Sequence, residues 1–198
     1  MVMLRAMRHF GHILKHDATI DDLKALPAEV AAEIIDGELV EKAAPSFDHG
    51  DVQAGISSQL GSRFRGPPRD GGGGWWLVNE VEIEYEQRQI YRHDVCGWRR
   101  ERLPERPTEW PVRVRPDWVC EILSRTNASN DTVKKLRTLH RHGVPHYWLV
   151  DPDRKTLTVF RWGESGYVAV VSAEAGERVR AEPFDALELD TTALFEGG

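Results

Sequence analysis

Residues 116–152 read PDWVCEILSRTNASNDTVKKLRTLHRHGVPHYWLVDP. The run WVCEIL is mostly apolar, and PHYWLVDP is a short continuous apolar run of the kind found in a buried central strand. Between them, residues 131–142 have helical spacing, with Asn130 or Asp131 to cap the start and Gly143 to stop the end. A strand, a crossover helix and a second strand make a βαβ unit. Strands 116–123 and 145–151 are therefore predicted to be parallel, which places the chain in the α/β class.

Upstream, residues 18–35 read as a helix. Thr19 or Asp21 can cap it, and Leu23, Leu26, Val30 and Ile34 recur at helical spacing, although Pro27 disturbs its middle. IIDGELVEKAAP (34–45) predicts two short strands, Ile34-Ile35 and Leu39-Val40, around an Asp-Gly turn. Ser46 or Asp48 can cap a helix over about 49–64, with Val52, Ile56, Leu60 and Phe64 on one face. RGPPRDGGGG (65–74) is a connection, since it lacks the Lys-Ser/Thr pair of a phosphate loop. Strands over WWLVNEVEIEY (75–85) and 89–97 follow, then an Arg/Pro-rich loop, 99–115. TLTVFRW and YVAVVSA form a hairpin, and the tail packs back on the core. The expectation is a mixed β-sheet flanked by helices with an added C-terminal hairpin. It occupies one domain, 18–198, after an N-terminal extension, 1–17.

At 198 residues and 40% hydrophobic, the chain can bury one sizeable core and is not disordered throughout. A net charge of −6 argues against a polycation-type nucleic-acid binder, yet an acidic cluster awaiting a metal adds negative charge of its own. No apolar run reaches the ~18 residues that a bilayer requires. The N-terminus has neither the apolar stretch nor the cleavage site of a signal peptide. Two cysteines, Cys96 and Cys120, make no disulfide framework, so a reducing cytoplasm is expected. They also lack the four-ligand spacing of structural zinc. Eight of 20 arginines fall within residues 88–115; such a loop is either a solvated hairpin or a phosphate grip.

Two acids stand out. Asp94 lies in IYRHDVCG and Glu121 ends the strand PDWVCEIL. An acid inside an apolar strand is costly unless it is paired or holds a metal. If the two strands pair, both carboxylates converge. With the Ile122 backbone carbonyl and water they would make a Mg²⁺ or Mn²⁺ site; the alternative is an edge strand with the acids in solvent. On the helical wheel Val133, Leu136 and Leu139 form a stripe facing the sheet, and of the two lysines there Lys135 lies about 40° from Leu139 and so reaches over the sheet. Lys134 points elsewhere; the alternative is that both lysines are helix-surface charges, with Asp131 and Lys135 an i,i+4 pair. Asp117 is about 13 Å along its strand from Glu121, too far to share a metal, and reads as structural. Glu80, Glu82 and Glu84 share one strand face; they form either a solvated face or, through Glu82 first, an extension of the acidic site.

Glu121, Leu123-Ser124, Asp131, Lys135, Gly143-Val144 and Tyr147 to Pro152 together resemble the signature of the Uma family of proposed restriction endonucleases, in the PD-(D/E)XK nuclease superfamily. IIDGELVEKAAPSFDHG resembles that family's N-terminal hairpin and the His that opens its second helix. The resemblance covers roughly 18–195 and implies a restriction-endonuclease-like fold and Mg²⁺-dependent hydrolysis of DNA. It implies Asp94, Glu121 and Lys135 as catalytic residues. His93 stands where the superfamily has Pro. Leu123 stands where it has Lys, which implies that the lysine has moved to the following helix. The resemblance makes Glu38 an additional acid; His49 either supports the site by binding phosphate or orienting water, or caps and packs the helix start. Arg99, Arg100 and Arg102 would grip the DNA backbone, and many nucleases of this kind act as homodimers. The competing expectation is a catalytically inactive module of the same fold that binds DNA or a protein.

Overall fold

The computed structural model describes residues 12–70, 72–124 and 130–196, without the side chains of Asn130 and Asp131. In chain order the elements are β1 (Ile13–Lys15), α1 (Ile20–Lys24), β2 (Ala32–Ile35), β3 (Glu38–Glu41), α2 (Phe47–Phe64), β4 (Trp75–Glu86), β5 (Gln89–Arg99) and β6 (Trp118–Ile122). A π-helical turn (Asn130–Lys135) then runs into α3 (Leu136–Arg141). β7 (His146–Asp151), β8 (Thr156–Arg161), β9 (Val168–Glu174), β10 (Arg178–Val179), β11 (Leu189–Asp190) and α4 (Thr191–Phe195) complete the described chain.

One mixed sheet of nine strands has the order β1-β3-β2-β5-β6-β7-β8-β9, with β4 paired to β5. β6 and β7 are parallel, Trp118 opposite His146 and Ile122 opposite Val150, as the crossover requires. The neighbouring pairs are antiparallel. The Asp-Gly turn between β2 and β3 has both residues at positive φ, 54° and 81°, the conformation a two-residue hairpin demands.

The helices bury what their periodicity dictates. Ser46 caps α2 by accepting from the His49 amide, and Val52, Ile56, Leu60 and Phe64 pack on Trp75, Leu77, Val95, Cys120 and Trp148. Across the sheet, Leu139 packs with Cys96, Trp98, Val119 and Tyr147. Cys96 and Cys120 therefore serve opposite faces, both buried as free thiols.

Three expectations are corrected. The helix expected over 18–35 ends at Lys24, and β2 takes Ala32–Ile35. Pro27 has no N–H to give and disfavours helical geometry in the residue before it, so the later apolar residues find partners in the sheet instead. Part of the expected N-terminal extension, Ile13–Lys15, pairs with β3 at the sheet edge. Val133, expected to face the sheet with Leu136 and Leu139, is 42% exposed. The wider π turn rotates it outward.

Candidate active site

β5 and β6 set the centre of the site. Val95 pairs with Cys120, so Asp94 and Glu121 fall at the end of that ladder, 2% and 1% exposed. The Ile122 amide donates to Asp94 Oδ2 at 2.6 Å and so ties one acid to the backbone of the strand bearing the other. Both acids line a cavity of about 430 Å³, together with Lys42, His49, Glu80, Lys135 and the β6 end at Ile122 and Ser124.

The charges form two groups. Around Asp94, the Lys42 ammonium donates to Oδ1 at 2.7 Å, to Glu80 at 3.0 Å and to the Arg92 carbonyl at 3.0 Å. His49 Nε2 lies 3.5 Å from the same Asp94 oxygen. Gln53 of α2 donates to Glu80 and to the Asp94 carbonyl. Burial opposes ionisation of Asp94, but the His49 contact and the Lys42 charge outweigh it and hold the carboxyl below the usual range. Lys42 is raised above its ordinary value: burial works against its charge, and Asp94 and Glu121 more than compensate.

Around Glu121, Oε1 accepts from Lys135 at 3.0 Å and lies 2.6 Å from His93 Nδ1. Lys135, 1% exposed, also pairs with Glu33 of β2 at 2.8 Å, and the Arg92 amide donates to the same Glu33 oxygen. His93 is pushed down to about 3, by burial first and the Lys135 charge second. A neutral imidazole that donates through Nδ1 must accept at Nε2, and the Tyr85 hydroxyl is 2.8 Å from it. Burial, with help from Asp94, raises the Glu121 carboxyl above the carboxylate range against the pull of Lys135.

The structure thus brings Asp94, Glu121, Lys135, His49 and Ile122 to one place. It does not bring Glu38 or Glu82 there. Glu38 sits at the turn end of β3, 3.2 Å from His16, about three residues (~10 Å) from the Glu41 end that reaches the cavity. Glu82 faces Arg92 and the Trp110 indole. Glu80 is the β4 acid that reaches the cavity: Asn79 pairs with Val95 and Val81 with His93, and between them Glu80 takes φ +55°. A non-glycine residue held there is strained, and such strain clusters at functional sites. His49, Glu80 and Asp94 each offer a donor atom within 4.8 Å of one another.

Arg99, Arg100 and Arg102 do not line the acidic cavity. Arg102 donates to Asp117 at 2.7 Å, and Asp117, buried, also takes the Arg99 amide, so this acid anchors the loop. Arg99 lies over Trp75 and Arg100 over Trp76. Lys134 reaches Asp36 at 3.6 Å. The expected Asp131–Lys135 pairing and the Asn130 or Asp131 cap fall outside the described side chains.

Glu33, Lys42 and Gln53 join the site without having been singled out for it, and Glu80 takes the place given to Glu82. Glu33 carried a readable signal, an acid inside the apolar run AEII, the same signal that marked Asp94 and Glu121. Lys42 and Gln53 carried none, because their partners lie 52 and 41 residues away.

The family model Uma2, described as "Putative restriction endonuclease", matches residues 20–192. The structure is similar to the crystal structure of a "putative nuclease belonging to DUF820" from Anabaena variabilis. The TM-score is 0.71 at 25% identity, covering 90% of this chain and 98% of that one. No curated protein matches. The nine-stranded mixed sheet and this likeness make the fold restriction-endonuclease-like. With the family match running through all the residues of the cavity, the chain belongs to the Uma2 family.

Proposed function

We propose that this protein is a Mg²⁺- or Mn²⁺-dependent endonuclease that hydrolyses DNA phosphodiester bonds. The observation that carries the reading is that Asp94, Glu121 and Lys135, each at most 2% exposed, line one open cavity. Four carboxylates, of Glu33, Glu80, Asp94 and Glu121, meet three fixed cations there, Lys42, Arg92 and Lys135. A cation bound between the acids would favour the charged form of Glu121, which burial alone opposes. Hard oxygen donors suit Mg²⁺ or Mn²⁺, and the buried Nδ1 of His49, which has no hydrogen-bond partner, is a further donor.

Asp94 and Glu121 would hold the ion, with the Ile122 carbonyl as third ligand and Glu80 and His49 beside them. Once bound, it would polarise the scissile phosphate and lower the pKa of a water. Lys135, fixed between Glu33 and Glu121, would donate to a phosphate oxygen and offset the charge that grows as water attacks. His93, held by Tyr85, fixes the Glu121 carboxylate in direction. A homodimer would present two such cavities to a duplex.

The test is cleavage of plasmid DNA in Mg²⁺. Asp94→Asn and Glu121→Gln should each lower the rate about a hundredfold or more, with thermal unfolding still cooperative. Metal-dependent cutting that persists in both variants would overturn the reading. The second reading, an inactive binding module, draws on Lys42 and Lys135, whose ammonium groups pair with the two acids.

A further inference from the structure

A second cavity, of about 240 Å³, opens against β4, the strand that carries Glu80. Trp76, Val81, Trp98 and Pro107 form its apolar walls, and Arg65, Arg100 and Arg106 supply its charge. The Arg100 guanidinium lies 3.3 Å above the Trp76 ring and Arg106 lies 4.8 Å from it. Trp76 is itself fixed, its indole N–H donating to the Leu103 carbonyl at 2.9 Å.

Three features separate this cavity from a gap in the core. No carboxylate lines it among the described residues. Arg65, Arg100 and Arg106 have no acidic partner among the described residues, unlike Arg102 and Arg113, which do. The Nε of Arg100 is buried without an acceptor. A guanidinium stacked on an indole keeps its N–H edge free in the ring plane, the geometry that takes a phosphate bidentately. An apolar slot beside unspent cations matches a ligand with one flat apolar part and one anionic part. A nucleotide has both.

The place of the cavity says which nucleotide. Val81 adjoins Glu80, which lines the acidic cavity, and Trp98 is four residues from Asp94 on β5, about 13 Å. That is at most about four nucleotides of one strand at the stacked rise of ~3.4 Å, and fewer where the strand is unstacked. We propose that this pocket binds one unstacked nucleotide of the DNA strand that enters the acidic cavity, with its base against Val81, Trp98 and Pro107 and its phosphate on Arg100 and Arg106. The identity of that strand rests on the nuclease reading; the pocket's chemistry does not.

The experiment is fluorescence anisotropy of a fluorescein-labelled eight-residue oligothymidylate with the whole protein in EDTA, where metal-dependent cutting is off. Arg100→Gln/Arg106→Gln should weaken binding about tenfold and lower the slope of log K against log salt by about 0.7 for each arginine. Arg106→Gln alone, at an exposed position, guards against a folding defect in the double variant. Thymidine monophosphate should displace the probe where inorganic phosphate does not. Unchanged affinity and slope in these variants, or equal displacement by phosphate alone, overturns the pocket and leaves the cleavage test standing. Weakened binding in the variants of a protein that cuts no DNA keeps the pocket and sinks the nuclease reading instead.

Discussion

Lys42 reaches three acceptors, Asp94, Glu80 and the Arg92 carbonyl, from a side chain only 10% exposed. Replacing it with methionine keeps the bulk and leaves Asp94 charged and buried. Without divalent ions, Lys42→Met should lose about 3 kcal/mol in urea unfolding at pH 7, whereas Lys42→Arg should lose much less; a loss under about 0.5 kcal/mol in Lys42→Met would show that the pair is not holding Asp94. His146 gives a pH prediction from outside the cavity. Burial lowers its pKa below the ordinary histidine value, and its Nδ1 has no hydrogen-bond partner. The unfolded chain therefore binds a proton at His146 before the folded one does. Stability should fall as pH drops below about 6.5, by no more than ~1.4 kcal/mol per unit from this group. Urea midpoints at pH 7 and pH 5 check it: His146→Gln should lose less than the wild type over that interval, and equal losses would refute the assignment.

At the scale of elements, β5 supports the site from both sides. Gly97 packs so tightly in it that an added Cβ would lie 2.8 Å from Leu77 Cδ2 and 3.1 Å from the Trp76 carbonyl. Gly97→Ala should cost about 1–3 kcal/mol by overpacking, read as a lowered thermal midpoint; an unchanged midpoint would mean that β4 yields freely. The βαβ unit was legible because a continuous apolar run, a capped helix and a second apolar run admit few arrangements. The region from Leu23 to Ile34 was not, since its spacing satisfied a helix locally while Pro27 and sheet pairing decided otherwise. The π turn was equally hidden: wheel geometry picked Lys135 over Lys134, and the structure buries Lys135 against Glu121, yet the same wheel placed Val133 inward.

At the scale of the whole molecule, acids in apolar strands were readable singly, but their grouping was not. Glu33, Lys42 and Glu80 join Asp94 through pairings that only the folded sheet brings together, and the φ of Glu80 departs from the alternation that pointed to Glu82. The assembled cavity makes a linked prediction. An ion that binds only the folded state should stabilise the wild type by about 2.7 kcal/mol at a hundred times its Kd. Calorimetry with and without Mg²⁺ should show this shift in the wild type and lose most of it in Asp94→Asn. An unshifted wild type would favour the inactive binding module.

Cys96 and Cys120 lie fully enclosed on opposite faces of the sheet, and burial raises both thiols far above the range in which a thiolate forms. The native chain should therefore not react with maleimides. A single cysteine placed on the outer rim of either cavity would be the only position to accept a spin or dye label, so distances from protein to nucleic acid could be gauged with no background to subtract.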